Sequence, residues 1–189
     1  MSEIKKIKNL KEFSTSADRF EGANLLCPGC AHSIIVREVL NATNDDLVLS
    51  ASTGCLEVCT AVYPYTSWDA SWIHIGFENG STAVAGAEAM YKALKTKGRL
   101  KQPDRTPKFV AFGGDGATYD IGFQWISGCF ERGHDMMYVC LDNEVYANTG
   151  GTVSNLTVAY SDVEGGQAGL QTNGYALVNW GIGNIDQSP

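Results

Sequence analysis

The apolar positions from Ala31 onward recur with the spacing of an α-helix, and they mark the first ordered element of the chain. One face of this predicted helix carries Ile34, Ile35, Val39 and Leu40, with Arg37 and Glu38 opposite. The pattern then changes, because the consecutive apolar residues of Leu47–Leu49 in the segment Asp46–Ser52 are typical of a buried strand. That strand ends in Thr53-Gly54-Cys55.

Small residues fill the segment Gly80–Ala89, which leads into a predicted helix through Lys95 that stops near Gly98. Such a run allows close packing of a helix against its neighbours. It also allows the close approach of a cofactor.

The clearest unit is a strand, a turn, a helix and a second strand. An apolar strand at Lys108–Phe112 runs into Gly113-Gly114-Asp115-Gly116, and a second strand covers Met136–Leu141. The helix between them is predicted over Tyr119–Arg132, with an apolar face of Ile121, Trp125, Ile126, Cys129 and Phe130. This order predicts a parallel crossover that brings Asp115 and Asn143 to the same edge of the sheet. The predicted class is therefore α/β, with a mostly parallel sheet flanked by helices.

Both ends of the chain differ from this middle part. Residues 1–22 are charged and weakly periodic, and they are predicted to form an N-terminal arm. Residues 152–189 are polar and rich in glycine, so they are predicted to be an atypical or incomplete C-terminal segment. The fold thus looks truncated at its C-terminus, and residues 23–151 form the predicted main domain.

Composition narrows the class of protein. A chain of 189 residues with 44% hydrophobic residues fits one globular domain with a core. The absence of a long apolar run or a signal-like N-terminus predicts a cytoplasmic protein without membrane contact. The net charge of −7 argues against a nucleic-acid partner. In such a chain the six cysteines are interpreted as ligands, reactive thiols or core residues before disulfides.

The turn after the third predicted strand favours a magnesium–diphosphate site. Asp115 offers a carboxylate, Asn143 an amide oxygen and Val145 a backbone carbonyl, which are the ligands that Mg²⁺ prefers. Gly114 and Gly116 let the backbone approach a diphosphate. Gly-Asp-Gly alone is more typical of an ordinary turn, but the amide residue at the end of the next strand favours the metal site.

The spacing of Cys27 and Cys30, together with Cys55, indicates thiolate ligation of a metal or cluster. A redox pair is less consistent, since no strand precedes Cys27. Zinc and an iron–sulfur cluster remain equal alternatives from the residues alone, and either needs a fourth ligand. Cys59 or His32 could supply it, whereas Cys129 and Cys140 are predicted to be core residues.

Several other polar and aromatic residues have both a structural and a functional interpretation. Glu57 is predicted to be structural, following the cysteine loop. His74 has two interpretations, a substrate contact or a packed core residue. An aromatic cluster of Tyr63, Tyr65, Trp68 and Trp72 is predicted to lie in the core or at a subunit interface.

The combined motifs resemble the β subunit of 2-oxoacid:ferredoxin oxidoreductases, most closely the pyruvate synthase type. The segments that carry this resemblance span about residues 20–151: LLCPGCAHSI, TGCLEVCTAVYPYTSW, WIHIGFENGSTAVAG, FGGDGATYDIGFQWISGCFERGHD and DNEVYANTGG. The resemblance implies the thiamine-diphosphate-binding fold, with thiamine diphosphate, Mg²⁺ and a [4Fe-4S] cluster as cofactors.

The same resemblance implies roles for individual residues. Cys27, Cys30 and Cys55 match cluster ligands, while Asp115, Asn143 and the Val145 carbonyl match ligands of Mg²⁺. Asn148 matches a catalytic polar residue beside the thiazolium ring and the substrate. The remaining matches to cofactor-binding positions are Gly54, Cys55, Gly114, Gly116, Ala117, Tyr146 and Thr149. The fourth cluster cysteine of the family lies beyond the NTGG segment, and this chain has no matching residue there.

The implied reaction is oxidative decarboxylation of a 2-oxoacid such as pyruvate to acyl-CoA and carbon dioxide. Its electrons pass reversibly through iron–sulfur clusters to ferredoxin. The implied partners are α, γ and δ type subunits, with the α subunit supplying the glutamate that activates thiamine, so that this chain alone would be inactive. Two alternatives stay open: a non-redox thiamine decarboxylase or carboligase with structural zinc, and a non-catalytic truncated partner subunit.

Overall fold

The computed structural model describes residues 11, 14, 15, 17–149, 154–158 and 176–180. The chain forms two compact units, of which the first ends at Glu144 and the second begins at Val145. Within the predicted arm, residues 1–10, 12, 13 and 16 lie outside the described residues. The same holds for most of the predicted C-terminal segment.

The first unit alternates helices and strands, as its sequence pattern predicts. In chain order the elements are α1 (Ala31–Asn41), β1 (Leu47–Ser52), α2 (Cys55–Thr60), β2 (Ser71–Ile75), α3 (Gly80–Thr96), β3 (Lys108–Gly114), a π-helical turn (Gly116–Asp120), α4 (Phe123–Glu131) and β4 (Met137–Leu141).

The four strands of the first unit form one parallel sheet in the order β2-β1-β3-β4. The predicted α/β class with a parallel sheet is confirmed. Gly114 of β3 pairs in register with Leu141 of β4, so the two strands end side by side.

The core lies in two layers, one on each face of the sheet. Along β3, Val110 and Phe112 face one layer, whereas Phe109 and Ala111 face the other. The first layer contains Phe20, Val36, Leu40, Leu47, Leu49, Ala51, Leu56, Trp68, Val110, Phe112 and Leu141. Val84 of α3 packs in the second layer. Burial of both faces explains why the strands are nearly continuous apolar runs.

The predicted apolar faces of two helices are wrong in part. In α1 the buried apolar residues are Val36 and Leu40, while Ile34 and Ile35 are exposed. The predicted helix over Tyr119–Arg132 is divided into the π-helical turn and α4, because the Ile121 amide donates to the Gly116 carbonyl five residues earlier. In α4 only Ile126 and Cys129 are buried, whereas Ile121, Trp125 and Phe130 are exposed.

The second unit contains a 3₁₀ turn at Ala147–Thr149 and two strands, β5 (Ser154–Val158) and β6 (Ala176–Trp180). These strands pair in parallel. Residues 152–189 were expected to lack strong periodicity, and each strand is only five residues long, which explains why neither was predicted. Across the described residues, no helix has the length and apolar character required to cross a membrane.

Candidate active site

The carboxyl ends of the parallel strands hold most of the predicted cofactor residues of the first unit. β1 leads directly into Thr53 and Gly54, and β3 leads into Asp115. Asn143 follows the end of β4 by two residues. Because Gly114 and Leu141 are register partners, Asp115 and Asn143 leave neighbouring strands at the same edge, as predicted.

Asp115 lies half-buried at the start of the π-helical turn, with backbone angles φ −55° and ψ −46°. The turn is held by the Thr118 hydroxyl, which donates to the Gly114 carbonyl at 2.6 Å and lies 3.1 Å from the Tyr138 hydroxyl. Within the described residues the Asp115 carboxylate forms no hydrogen bond. The carboxylate therefore has no hydrogen bond to a described residue to give up when it binds a cation, and Mg²⁺ prefers oxygen ligands of this kind.

Glycines fix the path of this turn. A Cβ atom at Gly113 would collide with the Tyr138 hydroxyl, and one at Gly122 would collide with the Ala117 carbonyl oxygen. At Gly114 the nearest atom to such a Cβ is the Leu141 carbonyl oxygen at 3.9 Å, so this position stays open. The open backbone beside Asp115 fits the close approach of a phosphate group.

The loop after β4 bends sharply around Asn143. Glu144 adopts the left-handed conformation with φ 59°, and its amide donates to the Asp142 side chain at 3.0 Å. Asn143 is exposed between them. Nearby, a hydrogen bond to Cys140 and the charges of Cys140 and Asp142 raise the pKa of Tyr119 to about 12.

The other predicted diphosphate-side residues belong to the second unit. The Val145 carbonyl accepts a hydrogen bond from the Ala147 amide at 2.9 Å. The Thr149 hydroxyl donates to the Tyr146 carbonyl at 3.1 Å, and Asn148 is exposed in the same 3₁₀ turn.

The cysteine loop folds back onto α2. The Leu25 amide donates to the Cys59 carbonyl at 2.9 Å, and the Cys30 amide closes the loop by donating to the Cys27 carbonyl at 3.0 Å. Cys55 begins α2 and Cys59 lies one turn later, so both fall on the same side of this helix. The loop thus brings the two cysteine motifs together.

The thiols of Cys27 and Cys30 lie close enough to those of Cys55 and Cys59 to influence their pKa values. Burial, followed by the thiols of Cys30 and Cys27, raises the pKa of Cys55. Burial, followed by Cys55, Cys27 and Cys30, also raises the pKa of Cys59. All four thiols are free, and in the described part of the chain no histidine, cysteine or carboxylate group is arranged to hold a metal ion. The donor chemistry fits a soft metal, but the described geometry does not.

The remaining two cysteines lie away from this cluster. Cys129 is fully buried in α4, which confirms its predicted core position. Cys140 is only half-buried in β4 beside Tyr119, so its predicted place in the core is right only in part.

His32 follows the cysteine loop by two residues and lies near Asp115, which the sequence did not predict. Burial lowers the pKa of His32, and the nearby Asp115 carboxylate acts in the opposite direction. Its Nδ1 atom is buried and has no hydrogen-bond partner among the described residues. Only the fold brings these two positions, more than 80 residues apart in the sequence, within electrostatic reach.

The start of α3 packs tightly against β1. The Ser50 hydroxyl donates to the Gly80 carbonyl at 2.6 Å, and the Gly80 amide donates to the Ser52 hydroxyl at 3.2 Å. A Cβ atom at Gly80 would collide with that same hydroxyl. Close helix packing is thus one confirmed use of the small residues at Gly80–Ala89.

A second polar feature, the Glu57–His74 groove, lies between α2 and β2. Glu57 is buried, and its Oε1 atom lies 2.6 Å from His74 Nδ1, while the His74 ring is mostly exposed. The cavity has a volume of about 560 Å³, and its other walls include Val58, Tyr63, Pro64, Tyr65, Trp68 and Trp72. Of the predicted aromatic cluster, Trp68 is in the core and stacks on Trp72 at 5.5 Å, whereas Tyr63 and Tyr65 are exposed.

Comparison with known proteins identifies the kind of fold that carries this site. Residues 52–179 match the family described as thiamine pyrophosphate enzyme, C-terminal TPP binding domain. This match begins at Ser52, the last residue of β1, and covers the Asp115 turn and the loop after β4.

Curated relatives match over 66% to 88% of the chain. A pyruvate synthase subunit PorB from Thermotoga maritima is 43% identical over 88% of this chain and 53% of its own length. A PorB from Methanocaldococcus jannaschii is 50% identical over 66% of this chain and 41% of its own. A ketoisovalerate oxidoreductase subunit VorB from Pyrococcus furiosus is 38% identical over 70% and 42%. The chain spans about half the length, or less, of these relatives.

Proposed function

Because this chain belongs to the thiamine pyrophosphate enzymes, we propose that it is the β subunit of a 2-oxoacid:ferredoxin oxidoreductase of the pyruvate synthase type. One observation carries the proposal, namely that two kinds of site lie in the same unit. Asp115 and Asn143 follow the ends of neighbouring strands. The thiols of Cys27 and Cys30 lie near those of Cys55 and Cys59 in α2. A hard oxygen site and a soft sulfur site together suit an enzyme that combines decarboxylation with electron transfer.

Asp115, Asn143 and the Val145 carbonyl are proposed to hold Mg²⁺, which bridges to the diphosphate of thiamine. Gly54, Gly114, Gly116 and Ala117 are proposed to line the cofactor, together with Cys55, Tyr146 and Thr149. The bound cofactor supplies the chemistry that cleaves the bond between the carboxyl and keto carbons of a 2-oxoacid. Asn148 is the residue proposed to contact the reacting atoms.

Cys27, Cys30 and Cys55 are proposed to bind a [4Fe-4S] cluster, with the fourth ligand unassigned. Since the described thiols are not arranged for a metal, binding requires them to come closer together. The overall reaction would give acyl-CoA, carbon dioxide and two electrons that reach ferredoxin.

The proposed enzyme needs α, γ and δ type subunits. Thiamine activation requires a glutamate beside the aminopyrimidine ring, and Glu57 is engaged with His74 instead. An α type partner is therefore proposed to supply that carboxylate, which makes the site shared between subunits.

The test is anaerobic reconstitution of the full-length protein with its partner subunits. The expected result is reduction of a low-potential acceptor that requires a 2-oxoacid, thiamine diphosphate and coenzyme A. No such reduction in a fully assembled, metal-loaded complex would refute the proposal.

One observation favours a second candidate, a non-redox thiamine enzyme with structural zinc. Cys59 lies beside the other three thiols, and four thiolates are a complete ligand set for tetrahedral zinc. Metal and sulfide analysis of the protein distinguishes the two candidates. One zinc without sulfide favours the second candidate, and iron with an equal amount of sulfide favours the first.

A further inference from the structure

The Glu57–His74 groove contains a carboxylate–imidazole pair that the proposed metal and cofactor sites do not use. The buried Glu57 carboxylate accepts the hydrogen of Nδ1, which leaves the lone pair of a neutral His74 ring at Nε2. Within the described residues Nε2 has no hydrogen-bond partner. A buried carboxylate that orients an exposed imidazole is an arrangement that supports general-base catalysis.

The walls of the groove indicate the chemistry of its ligand. They are mostly aromatic or apolar, and no lysine or arginine lies among the lining residues. A phosphate or carboxylate bound there would lie near the Glu57 charge with no fixed cation to balance it. A volume of about 560 Å³ suits a flexible arm of small-molecule size.

The groove reaches the same edge of the sheet as the proposed cofactor site. His74 pairs in register with Ala51, near the end of β1. The amide and hydroxyl of Thr53 both donate to the Ile75 carbonyl, at 3.1 and 3.0 Å. Glu57 follows the predicted cofactor residue Cys55 by two positions in α2.

We propose that this groove binds the neutral, flexible arm of a thiol substrate and that His74 Nε2 accepts the thiol proton. The inference rests on the proposed function, in which that thiol is coenzyme A. The S–H bond breaks, its electron pair stays on sulfur, and the proton moves to Nε2. The resulting imidazolium is stabilised by the Glu57 carboxylate at Nδ1, which makes His74 a catalytic residue and Glu57 a positioning residue.

The test uses the complete enzyme with its partner subunits and rapid mixing that separates two steps. The first step is consumption of the 2-oxoacid without coenzyme A, and the second is product formation after coenzyme A is added. His74→Asn is expected to leave the first step within about twofold and to slow the second about 10²- to 10⁴-fold at pH 7. Glu57→Gln should give a smaller loss in the second step alone. Asp69→Asn, an exposed change nearby, serves as the control.

The pH dependence of the second step distinguishes a catalytic role of His74 from a purely structural one. Without a base, the second step of His74→Asn should accelerate about tenfold per pH unit up to the pKa of the substrate thiol itself. An unchanged second step in His74→Asn would overturn the inference and leave the proposed function standing. So would a raised KM for the 2-oxoacid with a normal second step, which would assign the groove to that substrate. Parallel loss of both steps with a lower Tm would show a structural role, and an inactive wild-type complex would overturn both proposals.

Discussion

The Asp115 carboxylate is the anionic ligand of the proposed magnesium site. Asp115→Asn keeps the size of the side chain and removes its charge. Because Mg²⁺ is held by few protein oxygens, we expect the affinity of the assembled enzyme for thiamine diphosphate with Mg²⁺ to fall at least about 10-fold, and turnover to fall with it. Titration calorimetry measures the affinity directly.

The matched control for this change is Asp104→Asn, which removes a carboxylate from an exposed loop. Its affinity for the cofactor should equal that of the wild-type protein. If Asp115→Asn also bound thiamine diphosphate and Mg²⁺ with wild-type affinity, Asp115 would not be a metal ligand.

At the scale of single residues, the sequence predicted only part of the candidate site. Asp115 and Asn143 were predicted to share an edge because each directly follows an apolar run, and parallel strands end at a common edge. The Glu57–His74 contact could not be predicted, since it depends on how α2 lies over β2. The same holds for His32 near Asp115.

Two glycines near α4 lead to opposite predictions for the same substitution. Gly122 precedes the helix, and a Cβ atom there would collide with the Ala117 backbone, so Gly122→Ala should destabilise the protein by about 1–3 kcal/mol. Gly128 lies inside α4, where a Cβ atom meets only the flexible end of Arg132 at 3.2 Å. Gly128→Ala should therefore stabilise the protein by about 0.5–1 kcal/mol.

Urea unfolding of the two alanine variants in parallel measures this difference. Because the substitution is identical, changes in the unfolded chain cancel to a good approximation. Equal stabilities of Gly122→Ala and Gly128→Ala would show that the Ala117 backbone moves aside without cost.

A buried carboxylate joins α3 to the loop before β4. Glu88 accepts hydrogen bonds from His134 Nδ1 at 2.9 Å and the Asp135 amide at 3.3 Å, and it also pairs with Lys92. Burial acts to raise the pKa of Glu88, but the hydrogen bonds from His134, Lys92 and Asp135 outweigh it and leave the pKa below its usual value.

The pH dependence of stability follows from the direction of that shift. A lowered folded-state pKa means that ionised Glu88 stabilises the fold above the unfolded pKa of about 4.3, and this contribution disappears as the pH falls through the lower folded value. Glu88→Gln should cost about 3 kcal/mol at pH 7 and make the remaining stability less sensitive to acid. Urea unfolding from pH 7 to pH 3 tests both statements, with exposed Glu38→Gln as the control. A variant that keeps the full acid sensitivity of the wild type would contradict the assignment to Glu88.

At the scale of elements, the pattern of apolar residues predicted the strands whose place in the fold depends most on burial. β1, β3 and β4 lie in the sheet as apolar runs and were all predicted. β2 was missed because Ser71 and His74 leave it without the continuous apolar run that marks the other three strands. α2 was missed because six residues give fewer than two helical turns and no readable period.

At the scale of the whole molecule, the proposed site is divided in two ways. Its predicted residues fall into two compact units of the chain, and the activating glutamate is proposed to come from another subunit. The relatives that this chain matches are themselves named as subunits of pyruvate synthase. A site built from several bodies loses its geometry when any one is missing, which makes activity a property of the assembly.

The last prediction concerns this dependence on a partner. The chain alone should show no 2-oxoacid-dependent reduction of an acceptor. With the γ and δ type subunits present, activity should rise as an α type partner is added until it is equimolar with this chain. Adding the Asp115→Asn chain to a limiting amount of partner should then lower the activity, because the variant occupies partner molecules without completing a metal site. Equal mixtures of wild-type and variant chains should give about half the wild-type activity if the two bind the partner equally well. Undiminished activity in that mixture would show that the partner is not shared, and turnover by the chain alone would show that the site is complete without one.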